Sequence, residues 1–181
     1  MRALATDLAG LLIIEPRVFE DERGFFMEVW QSEKFRALGI DAGFVQENHS
    51  RSGRGTVRGL HYQVERPQGK LVRVVQGSVF DVAVDLRRSS PTFGRWQGAS
   101  LSAENLRMLW IPPGFAHGFA ATSPAADVVY LCTELYAPAH ERTLQWNDPA
   151  LGIPWPLDGQ AALVSPKDAQ GVPLDRAALF P

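Results

Sequence analysis

The sequence predicts an all-β fold, and three observations carry that expectation. Sixteen Gly and 13 Pro are spread through 181 residues and cut the chain into short segments. No long stretch repeats its apolar residues with helical period. Runs rich in β-branched and aromatic residues recur instead at about 8–12 residues with turn residues between them, the pattern of a sandwich or barrel. A chain of 181 residues buries a substantial core as one domain and is short for two, so residues 1–181 are expected to form a single unit.

The elements follow in order. Leu11 to Ile14 is a four-residue apolar run between Asp7 and Glu15, too short for a signal peptide core or a membrane span. Ser32 to Leu38 is the one convincing helix, with Ser32 expected to cap its start and Gly39 to end it. Lys70 to Val75 and Val79 to Leu86 read as strands joined through Gln76-Gly77-Ser78, which predicts a hairpin. In the second of these, Phe80, Val82, Val84 and Leu86 share one face and Asp81, Ala83 and Asp85 the other, predicting one core face and one carboxylate face. Further strands are expected at Trp96 to Leu101, Leu106 to Ile111, Phe119 to Thr122 and Asp127 to Glu134. Six of the 13 prolines lie from Pro149 onward, so the tail is expected to wrap the body as extended chain and turns.

Composition removes several classes. Apolar residues are 45% and charged residues 21%, as in ordinary globular domains, which argues against disorder, coiled coil and membrane proteins. A formal charge of −2 gives no global field toward nucleic acid or membrane, so any anion site must be local. The single cysteine, Cys132, excludes an intrachain disulfide and a multi-cysteine zinc site and suits a reducing compartment; the cytoplasm is the expected location.

The histidines carry the first chemical signal. His49 and His61 flank an Arg/Gly-rich stretch, His117 ends Pro112-Pro-Gly-Phe-Ala-His117, and His140 lies in an expected surface turn. The Pro-x-Gly-x-x-His pattern resembles the second motif of the cupin superfamily, whose double-stranded β-helix, a jelly-roll barrel, suits the strand pattern. Metal-binding cupins carry a His-x-His pair and a carboxylate in the first motif, because a metal needs at least three converging ligands. Gly59-Leu-His61-Tyr-Gln63 offers one histidine, so no metal site is expected. That leaves His61 either to acid–base chemistry or to a hydrogen-bonded structural role.

Between Arg51 and Arg73 six cations, Arg51, Arg54, Arg58, Arg66, Lys70 and Arg73, stand against Glu65 alone. This stretch reads as an anion cradle suited to a diphosphate. Arg51, Arg54 and Arg66 read better as solvated surface charge. Arg58 and Lys70, beside His61 and in a Val-rich run, would be costly unless they face a polar cavity.

Several motifs in one order carry a closer resemblance: Asp21-Glu-Arg-Gly-Phe-Phe26, Gln46-Glu-Asn-His-Ser50, Val57-Arg-Gly-Leu-His-Tyr-Gln63, Gln68-Gly-Lys-Leu-Val-Arg73, Ser78-Val-Phe-Asp-Val-Ala-Val-Asp85, Ser90-Pro-Thr-Phe-Gly94, Trp110-Ile-Pro-Pro-Gly-Phe-Ala-His-Gly-Phe119 and Trp146-Asn-Asp148. Together, over about Leu12 to Asp168, they resemble the dTDP-4-dehydrorhamnose 3,5-epimerase family. The resemblance implies inversion at C3 and C5 of dTDP-4-dehydro-6-deoxy-D-glucose, giving dTDP-4-dehydro-6-deoxy-L-mannose without cofactor or metal.

It also implies roles for residues. His61 is the base, Asp168 in Ser165-Pro-Lys-Asp168 its partner, Lys70 the group that stabilises the enolate and Tyr130 the acid. From the residues alone Tyr130 remains open between this role and that of a core tyrosine. Arg23, Glu28, Gln46, Asn48, Arg58, His117, Glu141 and Lys167 match positions that contact substrate, with Arg23 and Arg58 suited to the diphosphate, and Tyr136 matches the residue that stacks on thymine. Phe25, Phe26, Phe80, Trp96 and Phe115 read as core or pocket wall. The resemblance implies a homodimer in which residues near the N-terminus reach the partner's site. The competing readings are a single-site epimerase on a related nucleotide sugar, a metal-dependent cupin and a non-catalytic binding module.

Overall fold

The computed structural model describes residues 1–181 as two facing antiparallel sheets and one small hairpin. The strands are β1 (Arg2–Ala5), β2 (Leu12–Glu15), β3 (Val18–Asp21), β4 (Gly24–Met27), β5 (Gln46–Gly53), β6 (Val57–Gln63), β7 (Lys70–Gln76), β8 (Ser78–Asp85), β9 (Trp96–Ser102), β10 (Met108–Ile111), β11 (Phe115–Ala121), β12 (Ala125–Cys132) and β13 (Glu141–Thr143). One sheet runs β1-β2-β10-β7-β12-β5 and the other β13-β6-β11-β8-β9; β3 and β4 pair only with each other. From β5 to β8 and again from β9 to β12, successive strands alternate between the two sheets, as in a jelly roll.

This alternation corrects the hairpin expected at Gln76-Gly77-Ser78. β7 pairs with β10 and β12, and β8 with β9 and β11, so Gly77 carries the chain across from one sheet to the other. Its φ is +70°, and a Cβ there would lie 2.0 Å from the Ala125 carbonyl oxygen, so only glycine fits. The period-two pattern specifies a strand but not its partner.

Three apolar clusters hold the layers together. The inner faces meet in a core containing Val72 and Val74 of β7, Val79 and Ala83 of β8, Phe115 and Phe119 of β11, and Val128 of β12. The outer face of β8, Val82 and Val84, together with Leu86 just past its end, packs with Leu60, Ala116 and the tail residues Leu151, Trp155, Leu174 and Phe180. Both faces of β8 are therefore buried, and Asp81 and Asp85 point into the protein rather than to solvent. The tail lies across the sheet as expected, through isolated bridges Thr56–Leu163, Leu144–Val172 and Arg87–Phe180. The third cluster seats the helix α1 (Ser32–Ala37) on the other sheet, with Phe35 against Ile14, Leu71, Met108 and Trp110.

The helix differs from expectation in its cap. Gln31, not Ser32, is the N-cap, its side-chain oxygen accepting from the Lys34 amide at 2.6 Å. Gly39 follows the end with φ +84°, as the sequence suggests. Phe25 and Phe26, expected in a core or wall, are 58% and 70% exposed on the β3–β4 hairpin, which packs into neither sheet. Phe80, Trp96 and Phe115 do pack in the clusters.

The motif Ser90-Pro-Thr-Phe-Gly94 is structural. Buried Asp85 accepts from Ser90 Oγ at 2.6 Å, Thr92 Oγ1 at 2.7 Å and Arg87 Nε at 2.8 Å, and Arg87 also reaches the Ala9 carbonyl at 3.0 Å. Burial raises the Asp85 pKa, but these donors outweigh it and hold the carboxyl at about 2. Because the folded pKa is depressed, this stabilisation is complete above the unfolded value and is lost as pH falls toward 2. Asp85→Ala is expected to lower the unfolding free energy by roughly 3 kcal/mol by orphaning Arg87, Ser90 and Thr92, and to flatten the acid limb of stability between pH 4 and 2. Urea melts across pH check both effects.

Candidate active site

The largest concentration of polar groups lies between the two sheets, in a cavity of about 340 Å³. Gln46, Asn48 and Ser50 enter it from β5, Arg58, His61 and Gln63 from β6, Lys70 from β7, His117 from β11, Tyr130 from β12, Tyr136 from the segment leading into β13 and Glu141 from the start of β13. Regular alternation would send Arg58 and His61, three residues apart, to opposite faces. A register shift brings them together: His117 pairs with His61 but Phe119 with Arg58, so Gly59 and Leu60 oppose Gly118 alone. The strands touch closely at this bulge, where a Cβ on Gly59 would lie 2.6 Å from Gly118 Cα and one on Gly118 would lie 2.4 Å from the Arg58 carbonyl oxygen.

His61 Nε2 lies 2.5 Å from Asp168 Oδ1. Asp168 comes from the tail, is nearly fully buried, and also accepts weakly from the Gly59 amide at 3.4 Å while its own amide donates to Ser165 Oγ. Burial raises its pKa, yet the His61 hydrogen bond and charge prevail and hold the carboxyl below the usual range. An ionised Asp168 fixes the tautomer and orientation of His61. Across the cavity, from the opposite sheet, comes Tyr130, whose hydroxyl has no hydrogen-bond partner in the chain and whose pKa is pushed up by burial and by Cys132. Lys70 is 6% exposed and forms no ion pair, and burial pushes its pKa down.

The basic stretch resolves by partner. Arg51 is held by Asp127 at 2.6 Å and Arg66 by Glu134 at 2.6 Å, while Arg54 lies 3.9 Å from Asp158. Arg58 instead donates to Ser52 Oγ at 2.9 Å and faces the cavity without a carboxylate. Arg73 lines a separate cleft with Trp30 and Glu47, so the broad cradle suggested by the sequence narrows to Arg58 and Lys70. At the rim, the Tyr136 hydroxyl donates to Glu141 at 2.7 Å, Lys167 pairs with Glu141 at 2.5 Å, and the Tyr136 amide donates to Gln46 Oε1 at 2.9 Å. Asn48 accepts from Gln46 Nε2 at 3.0 Å.

Two of the sequence-derived residues stand apart. Arg23 pairs with Asp21 and Glu28 with Lys34 on the exposed side of the chain, outside the cavity. His49 faces outward beside Asp127, and His140 lies near Glu65. Sequence reasoning missed Asp81, which accepts from buried His117 Nε2 at 2.9 and 3.0 Å. Its alternation with valines in β8 reads as a solvent face, so the sequence carries no signal for it. No group of three or more His, Cys, Asp or Glu side chains is placed to hold a metal ion, and no helix is long and apolar enough to cross a membrane.

A histidine backed by a buried carboxylate, an unpaired lysine and an unpaired tyrosine on the facing wall make a site for moving protons next to a carbonyl. The protein is of the isomerase class, a nucleotide-sugar epimerase on a jelly-roll barrel. A profile of the dTDP-4-dehydrorhamnose 3,5-epimerase family matches residues 5–176, and the chain belongs to that family. The dTDP-4-dehydrorhamnose 3,5-epimerase of Pseudomonas aeruginosa is 54% identical over 182 aligned residues, covering 100% of both chains. That of Neisseria gonorrhoeae is 57% identical over 94% of this chain, which spans 52% of that longer relative. Among solved structures, the dTDP-6-deoxy-D-glucose-3,5-epimerase of Legionella pneumophila in complex with dTDP-4-keto-L-rhamnose superposes with a TM-score of 0.94 at 50% identity, over 98% of this chain and 94% of that one.

Gly59→Ala is expected to cost at least about 3 kcal/mol of stability, because its φ is +117° and the new Cβ meets backbone rather than a movable side chain. Thermal melting measures the loss. Any folded fraction is expected to be inactive, since relieving the contact displaces both Arg58 and His61.

Proposed function

We propose that the chain, as one catalytic unit, inverts C3 and C5 of dTDP-4-dehydro-6-deoxy-D-glucose to give dTDP-4-dehydro-6-deoxy-L-mannose. The observation that carries this reading is the contribution of His61 and Tyr130 by opposite sheets across one cavity. Inversion at carbon needs a proton removed from one ring face and returned to the other, and a base and an acid on facing walls suit that requirement.

C3 and C5 both flank the C4 ketone. His61, oriented by Asp168, takes the α-proton, and the C–H electron pair moves into an enolate whose oxygen is met by the Lys70 ammonium. Tyr130 delivers a proton to the opposite face and is left as phenolate. Proton exchange with solvent restores His61 and Tyr130 before the second inversion. No step calls for a metal or an organic cofactor.

Arg58 serves the diphosphate and Tyr136, its hydroxyl held by Glu141, stacks on thymine. Gln46, Asn48, His117, Glu141 and Lys167 are the remaining contacts within the chain. Arg23 and Glu28 reach substrate through a homodimer, in which the β3–β4 hairpin with its exposed Phe19, Phe25 and Phe26 closes the partner's cavity. The cytoplasm is the compartment expected for the reaction, and the free, buried Cys132 supports it.

Incubation of EDTA-treated protein with the substrate in D₂O, followed by reductive trapping and mass spectrometry, is expected to give two enzyme-dependent deuterons, at C3 and C5. One deuteron would assign the chain to single-site inversion, and none would overturn the reading. In the same assay His61→Ala is expected to abolish exchange at both carbons. Tyr130→Phe is expected to retain substrate binding and leave epimerisation incomplete. Tyr136→Ala is expected to raise KM roughly tenfold or more with kcat little changed, the size of one lost base–aromatic stack.

A further inference from the structure

The cavity contains a second histidine–carboxylate pair, of which the proposed reaction uses His117 as a substrate contact and leaves the carboxylate, Asp81, without a role. His117 and His61 are register partners on β11 and β6, and each is backed by a buried aspartate, Asp81 for His117 and Asp168 for His61. Asp81 has no exposed surface, and both its oxygens lie within 3.0 Å of His117 Nε2. Burial pushes the Asp81 pKa up, and the charge and hydrogen bond of His117 and the charge of Lys70 oppose that shift. In its ionised form the carboxylate only accepts, so Nε2 then carries the hydrogen and His117 is held in one orientation.

A second buried group faces the same interior. Lys70 on β7 and Asp81 on β8 both face inward from opposite sheets, and Lys70 is buried with no carboxylate oxygen within 4.0 Å. An ammonium so placed loses its water, and burial lowers its pKa. Three groups oppose that shift: Cys132 beside it on β12, Glu141 on β13 and Asp81 on β8. Cys132 is itself pushed toward the neutral thiol by burial, and Glu141 is already engaged by Lys167 and Tyr136. The other titratable side chains lining the cavity are Arg58, His61 and Tyr62 on β6, His117 on β11, Tyr130 on β12 and Tyr136 ahead of β13, none of which supplies a negative charge at neutral pH.

We propose that Asp81 is a positioning residue for the epimerisation: it locks His117 through Nε2 and supplies the counter-charge that keeps Lys70 an ammonium facing the developing enolate. The role rests on the reading of Lys70 as the enolate-stabilising group. It predicts that removing the charge of Asp81, while keeping its shape, lets Lys70 deprotonate at lower pH.

The test compares wild type, Asp81→Asn and the smaller Asp81→Ser by turnover of dTDP-4-dehydro-6-deoxy-D-glucose across pH, with ¹⁵N NMR of histidine and lysine side chains in the free protein. The neutral variants are expected to lose at least tenfold in kcat with KM within about threefold. The alkaline fall of kcat and the Lys70 titration are both expected at least one pH unit lower. Asp81→Glu is expected to restore the position of the alkaline limb. Wild-type kcat and an unmoved alkaline limb in a folded neutral variant would overturn the inference. So would a wild-type His117 with Nε2 unprotonated, a result that holds even if both neutral variants fail to fold. Absence of turnover by the wild type would overturn the epimerase reading instead, and the NMR titration of Lys70 would still decide the role of Asp81.

Discussion

Two glycines on neighbouring strands, Gly59 and Gly118, set the geometry on which the cavity depends. Their backbones approach so closely that a Cβ on either would meet the other strand's main chain. The contact accommodates the bulge that places two residues of β6 against one of β11. That single extra residue rotates Arg58 and His61 onto the same face. It also brings the Gly59 amide to Asp168, so the partner of His61 is anchored to the same irregularity. A regular strand would carry the same side chains and build no site from them.

The charge arrangement follows a similar economy. Some cations on the outside of the barrel are matched by carboxylates distant in sequence, as Arg51 is by Asp127 and Arg66 by Glu134. Arg58 and Lys70, which face the cavity, are not. Burying an unpaired ammonium is costly, and Lys70 is the one lysine or arginine of the chain that is buried. Asp85 shows the opposite arrangement, a carboxylate surrounded by donors and turned to holding the Arg87–Thr92 connection in place.

Legibility in the sequence tracked how the chain is solvated. The strands with apolar inner faces, β7, β8, β9 and β12, are readable as strands because their alternation reports burial. β5 was not, since its inward residues Gln46, Asn48 and Ser50 face a polar cavity, Ser52 is buried under Arg58, and none of them carries a hydrophobic period. β11 appeared shorter than it is because Ala116, Gly118 and Ala120 offer weak strand signals. Phe25 and Phe26 misled for the reverse reason: aromatic residues ordinarily mark a core, and here they stand exposed on a hairpin. The candidate site was largely visible through ordered motifs, yet Asp81 was not, because a carboxylate alternating with valines looks like a solvent face until a second sheet covers it.

The sequence alone determined that the chain is built of short strands, that its helix content is slight, that a proline-rich tail wraps the body, and which titratable side chains are available for acid–base work. Local pattern suffices for these because alternation, turn residues and composition act over a few neighbours. Only the tertiary structure decided that β7 and β8 lie in different sheets, that Arg58 and His61 share a face, that Asp168 reaches His61 across 107 residues of sequence, and that Lys70 has no partner. Each of these depends on contacts between segments far apart in the chain. Strand pairing, bulge position and the burial of a charge are properties of the assembled sheets and have no counterpart in a local window.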